Sequence, residues 1–332
     1  MATAEQLKAL LKSYADGDEE RFYAIAIQVA AHAARQGHAR LALELRTIVD
    51  NAKERSATTA RPRLSLPIPL VQPRGDLALL LSATYPKTRL ADMVLHSELH
   101  QRLQRILHEH RASHKLSAYG LSARRKILLV GPPGTGKTMS ASALAGELNL
   151  PLFTILLDGL ITKFMGETAA KLRLIFEAIG QSRGVYLFDE FDALGSERSS
   201  TNDVGEIRRV LNSFLQFLEQ DPSDSLIVAA TNHPQLLDRA LFRRFDDVIE
   251  YLLPSDDQLR AIFQHRLNLF ETSAVNWAHV VSAARGLSYS EITRACEDVA
   301  KEVILGDAST VTTQNLTRAL IERRTAQHRP AT

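Results

Sequence analysis

Lys126-Ile127-Leu128-Leu129-Val130-Gly131-Pro132-Pro133-Gly134-Thr135-Gly136-Lys137-Thr138 sets a short apolar run directly against a glycine-rich turn. A run of this length ending in glycine and proline reads as a buried strand, and residues 139–148 then read as a helix. Strand, Gly-x-x-x-x-Gly-Lys-Thr and helix in that order form a phosphate-binding loop. The glycines let the backbone wrap an anion and aim its N–H groups at it, and the start of the helix adds a favourable dipole. Gly131, Pro132, Pro133, Gly134, Thr135, Gly136, Lys137 and Thr138 are therefore expected to hold the phosphates of ATP. Lys137 would face the β- and γ-phosphates, and the Thr138 hydroxyl would face Mg²⁺.

Phosphoryl transfer also needs a metal carboxylate and a group that orients the attacking water, because its catalysis is chiefly placement and charge stabilisation. The apolar run Val185-Tyr186-Leu187-Phe188 delivers Asp189 and Glu190 at its end. Asp189 is the candidate for Mg²⁺ and Glu190 for the water. A further run over 226–230 leads into Thr231-Asn232. Asn232 would lie beside the γ-phosphate if that strand neighbours the phosphate-loop strand; otherwise it is a turn residue.

Strands are expected at 126–130, 152–157, 185–188, 226–230 and 248–252, with helical stripes between them, such as Leu172, Ile175, Phe176, Ile179 and Ile207, Val210, Leu211, Phe214, Leu218. This alternation predicts an α/β fold, a phosphate-loop NTPase with a mostly parallel sheet covered by helices on both faces. After Pro254 the strands stop. Ile292, Ala295, Cys296 and Val299 share one helical face there, and a C-terminal helical lid domain is expected at 254–332 behind a large α/β subdomain at 77–253. At the other end, Phe22, Ile25 and Val29 mark a small N-terminal helical domain over 1–53. Pro62, Pro67, Pro69 and Pro73 break regular structure in 54–76, which reads as a linker or as an extended arm carrying Leu64, Leu66 and Ile68.

Forty basic against 38 acidic residues leave a formal charge of +2, which gives no bulk attraction to nucleic acid or anionic lipid. No apolar run approaches the about 18 residues of a membrane span, and the start of the chain lacks a secretory pattern. The lone Cys296 excludes an internal disulfide or a cysteine metal cluster, and a cytoplasmic location is expected. His96, His100, His108 and His110 lack a carboxylate or cysteine framework and read as a solvated helical face.

With these motifs in place, residues 90–305 resemble the AAA family of ATPases, in its protein-remodelling branch. The most specific parts are the 131–138 loop, Asp189-Glu190, Asn232 and Leu237-Asp238-Arg239-Ala240-Leu241-Phe242-Arg243-Arg244-Phe245-Asp246. The resemblance implies a homo-oligomeric ring, a hexamer, in which Arg243 and Arg244 reach the neighbouring subunit's ATP. The two arginines are adjacent here instead of separated by two residues, so which of them meets phosphate is open. Ile161-Thr162-Lys163-Phe164-Met165-Gly166 resembles the loop with which threading members grip a polypeptide, making Phe164 the gripping residue flanked by Lys163 and Met165. The other reading packs Phe164 in the core. Gly286-Leu287-Ser288-Tyr289-Ser290-Glu291 is similar to the start of a lid helix near the nucleotide, and Ser288 with Glu291 also forms a capping-box pattern. The 30–45 stretch is similar to small bacterial AAA proteins that accompany a subtilisin-like protease in defence or plasmid maintenance. The expected function is thus an ATPase that remodels or threads a protein substrate, with no protease motif of its own. The alternatives are an ATP-dependent assembly switch without threading, or a nucleic-acid remodeller using a local patch such as Arg124-Arg125-Lys126.

Overall fold

Tandem apolar strands followed by amphipathic helices fold into a layered unit that, in the computed structural model, is described over residues 75–160, 165–192, 203–237, 239–306 and 310–327, besides residues 25, 26 and 73. The chain divides into two compact units, Met1–Leu70 and Val71–Thr332. Apart from the helical pair Ile25 and Ala26, the expected N-terminal domain lies outside the described residues, as does 54–72.

In chain order the second unit contains β1 (Leu81–Thr84), α1 (Ser97–Arg111), β2 (Lys126–Val130), α2 (Lys137–Leu148), β3 (Leu152–Ile155), α3 (Met165–Gln181) and β4 (Val185–Phe188). It continues through α4 (Asp203–Gln220), β5 (Leu226–Thr231), β6 (Asp247–Glu250), α5 (Asp256–Arg266), α6 (Trp277–Ala284), α7 (Tyr289–Leu305) and α8 (Thr313–Gln327). The six strands form one sheet in the order β1-β3-β4-β5-β2-β6. All neighbours are parallel except β1 and β3, which pair antiparallel from Leu81 opposite Ile155 to Thr84 opposite Leu152.

Side-chain alternation divides the core between the two faces of the sheet. Leu128, Tyr186, Phe188 and Ile227 pack on one face with Leu172 and Ile175 of α3 and Phe214 and Leu218 of α4. Ile127, Leu129, Leu187 and Val228 point the other way, onto Leu103 and Ile106 of α1 and Ala141 and Leu144 of α2. Each Leu, Ile or Phe buried this fully contributes roughly 1.5–3 kcal/mol. Parallel strands covered on both faces read as continuous apolar runs, which is why β2, β4 and β5 stand out in the sequence.

Three strand expectations change. β1 falls where no strand is expected from the sequence, because an edge strand of four residues with only Leu81 buried has almost no pattern. β3 ends at Ile155: the Leu156 amide still donates to the Leu80 carbonyl at 2.8 Å, and the chain then coils into a short helix, Leu157–Leu160. Gly159 passes so close to the Leu79 carbonyl that a side chain there would overlap it. β6 is shifted to Asp247–Glu250, its partner β2 ending at Val130 opposite Glu250.

Helices α5 to α8 build a separate core from Leu259, Phe263, Val280, Leu316 and the four α7 residues Ile292, Ala295, Cys296 and Val299. Trp277 packs against this core, its ring 6.1 Å from that of Phe263. No described helix is long and apolar enough to cross a membrane.

Candidate functional site

The strand order brings together residues far apart in sequence. β5 lies between β4 and β2, with Thr231 opposite Val130 and Ala229 opposite Phe188. Parallel strands present their carboxyl ends on one edge, where α/β sheets hold ligands. Gly131, Asp189 and Asn232 leave three adjacent strands on that edge, and the Gly131 amide donates to the Thr231 carbonyl at 3.3 Å.

The 131–138 loop needs its glycines at two places above all. Gly131 has φ 147°, and a Cβ there would overlap the Tyr251 carbonyl oxygen; Gly134 has φ 73°, and a Cβ there would overlap the hydroxyls of Ser288 and Ser290. Both lie in backbone space that side chains rarely enter. The loop is also tied internally, with Thr135 Oγ1 donating to the Pro132 carbonyl at 2.8 Å. Helix α2 opens on Lys137, its N-cap Gly136 having φ 98°.

Lys137 is 6% exposed, and its ammonium donates to the carbonyls of Gly131 at 2.7 Å and Pro132 at 2.8 Å. Burial lowers its pKa, and the carboxylates of Asp189 and Asp192 oppose that shift. A buried cation beside a wrapped backbone suits a polyanionic ligand. Thr138 Oγ1 donates to Asp189 Oδ2 at 2.6 Å. Two hard oxygens this close form the donor set expected for Mg²⁺, which prefers few protein ligands together with phosphate oxygens and water.

Glu190 follows in a left-handed conformation, φ 49°, one of two non-glycine residues with positive φ among those described. Its amide donates to Asp189 Oδ1 at 3.0 Å and its side chain is exposed. Phe191 behind it is fully buried, with its ring 4.7 Å from that of Phe214. Asp192, which the sequence reading passed over, is nearly buried, and its Oδ1 accepts from Thr231 Oγ1 at 2.9 Å and from the Asn232 amide at 3.2 Å.

A cavity of about 540 Å³ joins these groups. That volume suits a nucleotide-sized ligand. Pro133 to Thr138, Asp189, Glu190 and Asn232 line one end, and Met93, Val94, Leu95 and Ile262 give it an apolar wall. Tyr289, Ser290 and Arg294 of α7 and Arg266 of α5 close it from the helical side. Arg294 stands one helical turn beyond Ser290, a contribution invisible in the sequence because nothing there tells which face of α7 meets the loop. Ser288 caps α7 through a capping box with Glu291, while the Ser290 amide donates to the Gly134 carbonyl at 3.1 Å. The cap and the proximity to the phosphate loop are thus both present.

Arg243 and Arg244 do not line this cavity. Both are exposed, on the turn between the short helix Arg239–Phe242 and β6, and Arg244 pairs with Glu219 of α4. Lys163 and Phe164 lie outside the described residues; Met165 begins α3, with its side chain outside them as well.

The sequence profile of the "ATPase family associated with various cellular activities (AAA)" matches residues 127–253. The chain is 34% identical to an uncharacterized AAA family ATPase of Sinorhizobium fredii, over 100% of this chain and 99% of that relative. It is 33% identical to the ATP-dependent zinc metalloprotease FtsH of Lancefieldella parvula, over 69% of this chain and 37% of that protein. With a proteasome-activating nucleotidase of Methanococcus vannielii it shares 33% identity, over 61% of this chain and 52% of that protein. The chain therefore spans about a third to a half of the length of these last two relatives.

Proposed function

This chain belongs to the AAA family of ATPases, and from that premise we propose that it acts as a hexameric ring whose ATP hydrolysis remodels or threads a protein. The observation that carries the ATP chemistry is the convergence of Lys137, Thr138, Asp189, Glu190 and Asn232 on one cavity at the carboxyl ends of β2, β4 and β5. Lys137 and the loop amides hold the phosphates, and Asn232 contacts the terminal one. The Glu190 carboxylate accepts a hydrogen bond from the attacking water and orients it toward the γ-phosphorus. Thr138 and Asp189 would hold Mg²⁺, which would supply positive charge for the phosphate oxygens.

Arg243 and Arg244 complete the site in trans. Their exposure outside their own cavity supports this reading, and a guanidinium supplied to a transferring phosphoryl group is worth roughly 10³–10⁵ in rate in other phosphate-loop enzymes. The protein-directed role rests on similarity to relatives named for proteolysis and proteasome activation. Phe164, with Lys163 and Met165 beside it, is proposed as the gripping residue, and a separate subtilisin-like protease as a partner.

Two experiments test this. Glu190→Gln in ATP should trap the assembly with its protein partner; a Glu190→Gln protein hydrolysing at the parental rate removes Glu190 from the mechanism. Phe164→Ala should keep ATPase activity and lose remodelling of the trapped partner. Persistence of remodelling would eliminate threading by this loop.

A further inference from the structure

Asp192 takes no part in the chemistry just described, yet it joins the two pieces of backbone that must keep a fixed separation for that chemistry to occur. A single oxygen, Oδ1, receives the Thr231 hydroxyl and the Asn232 amide. The Thr231 hydroxyl accepts in turn from the His233 amide at 3.0 Å. Three consecutive residues at the exit of β5 are thereby fastened to one carboxylate on the turn that leaves β4. Thr231 is fully buried and Asp192 nearly so, and buried bonds to a charged acceptor are the stronger kind. On its own side, Asp192 follows Phe191, whose buried ring anchors the turn in which Glu190 holds its left-handed backbone.

We propose that Asp192 is a positioning residue that locks Asn232 to the Glu190 turn, so that the group contacting the terminal phosphate and the group orienting water stay in register. The inference rests on the ATP-site reading above. A carboxylate is suited to the task because it only accepts: one oxygen takes two donors with no hydrogen of its own to place, and its charge strengthens both bonds. Without it, the hydrogen bonds within β5 up to Thr231 remain, but the side chain of Asn232, just beyond the last paired residue, loses its fixed exit angle.

The test compares Asp192→Ala, Asp192→Asn and Thr231→Val with Asn232→Ala and Glu190→Gln in the full chain, measuring kcat and KM for ATP and the separate affinities for ADP and a non-hydrolysable ATP analogue. Asp192→Ala should lower kcat about 10²-fold, the scale of a displacement of about 1 Å at a reacting group. It should also narrow the preference for the ATP analogue over ADP as Asn232→Ala does, with ADP affinity changed less than about threefold, since ADP lacks the phosphate that Asn232 meets. Asp192→Asn keeps an acceptor oxygen and should retain kcat within about fivefold. Thr231→Val should fall between, and Asp192→Ala/Thr231→Val should be no worse than Asp192→Ala.

Parental kcat in Asp192→Ala, or ADP binding lost together with kcat, overturns the proposal. Should Asp192→Ala not fold, Thr231→Val decides it: parental kcat and parental nucleotide preference overturn it, and loss of both supports it. A hydrolytically normal Glu190→Gln would instead sink the ATP-site reading itself, which separates the two failures.

Discussion

Glu190 sits at φ 49° with an exposed side chain, so its backbone is strained while its carboxylate makes no packing contribution. A left-handed conformation costs an L-residue roughly 1–2 kcal/mol, and glycine escapes that cost. Glycine also loses more freedom on folding, roughly 0.5–1 kcal/mol relative to alanine. The amide that donates to Asp189 Oδ1 survives the change. Glu190→Gly should therefore be more stable than the parent by up to about 1.5 kcal/mol, whereas Glu190→Gln keeps its Cβ and should match the parent. At roughly 2–4 °C per kcal/mol, the glycine variant should melt up to about 6 °C higher. Circular dichroism at 222 nm during heating measures this, in the absence of nucleotide because a ligand of the native state adds its own stability. Both variants should lose hydrolysis, so the strain is held for function and not for the fold. A Glu190→Gly protein that melts below Glu190→Gln refutes the reasoning.

Gly131→Ala would drive a methyl into the Tyr251 carbonyl at φ 147°, so nucleotide binding should fall at least about tenfold, measured with a fluorescent ATP analogue. Burial pushes the Cys296 thiol up to about 12, so in the native protein at pH 8 it should react with a thiol reagent far more slowly than in urea. His110, expected on a solvated helical face, is instead buried with Nδ1 unpartnered; desolvation, reinforced by Arg183 and Arg125 and opposed by Asp224, holds its pKa below 6.5. The folded state therefore binds fewer protons than the unfolded one as pH falls below 6.5, and stability is lost at up to about 1.4 kcal/mol per pH unit. Urea denaturation between pH 7.5 and 5 should show a shallower pH slope for His110→Leu; an unchanged slope assigns the effect elsewhere.

The residues that write themselves into the sequence are those whose roles are local. Gly131 to Thr138 fold into a phosphate loop because consecutive glycines, a lysine and a following helix need only each other. The α7 face of Ile292, Ala295, Cys296 and Val299 is likewise set by helical period, and all four are buried together. Strand β1, with one buried residue, offered too little pattern to be found. Above all, which strands are neighbours is not a local property: β2, β4 and β5 are all continuous apolar runs, and nothing in Leu226 to Thr231 states that this strand inserts between the other two. Only that nonlocal pairing sets Asn232 beside Gly131 and lets Asp192 hold Thr231 and Asn232, and only the packing of α7 gives Gly134 its contact with Ser290 across more than a hundred residues of chain. The sequence by itself determined the chemistry available at the site, because residue type and spacing carry it. The tertiary structure decided the distances between those groups, because they depend on backbone pairing and packing between segments that are remote in sequence.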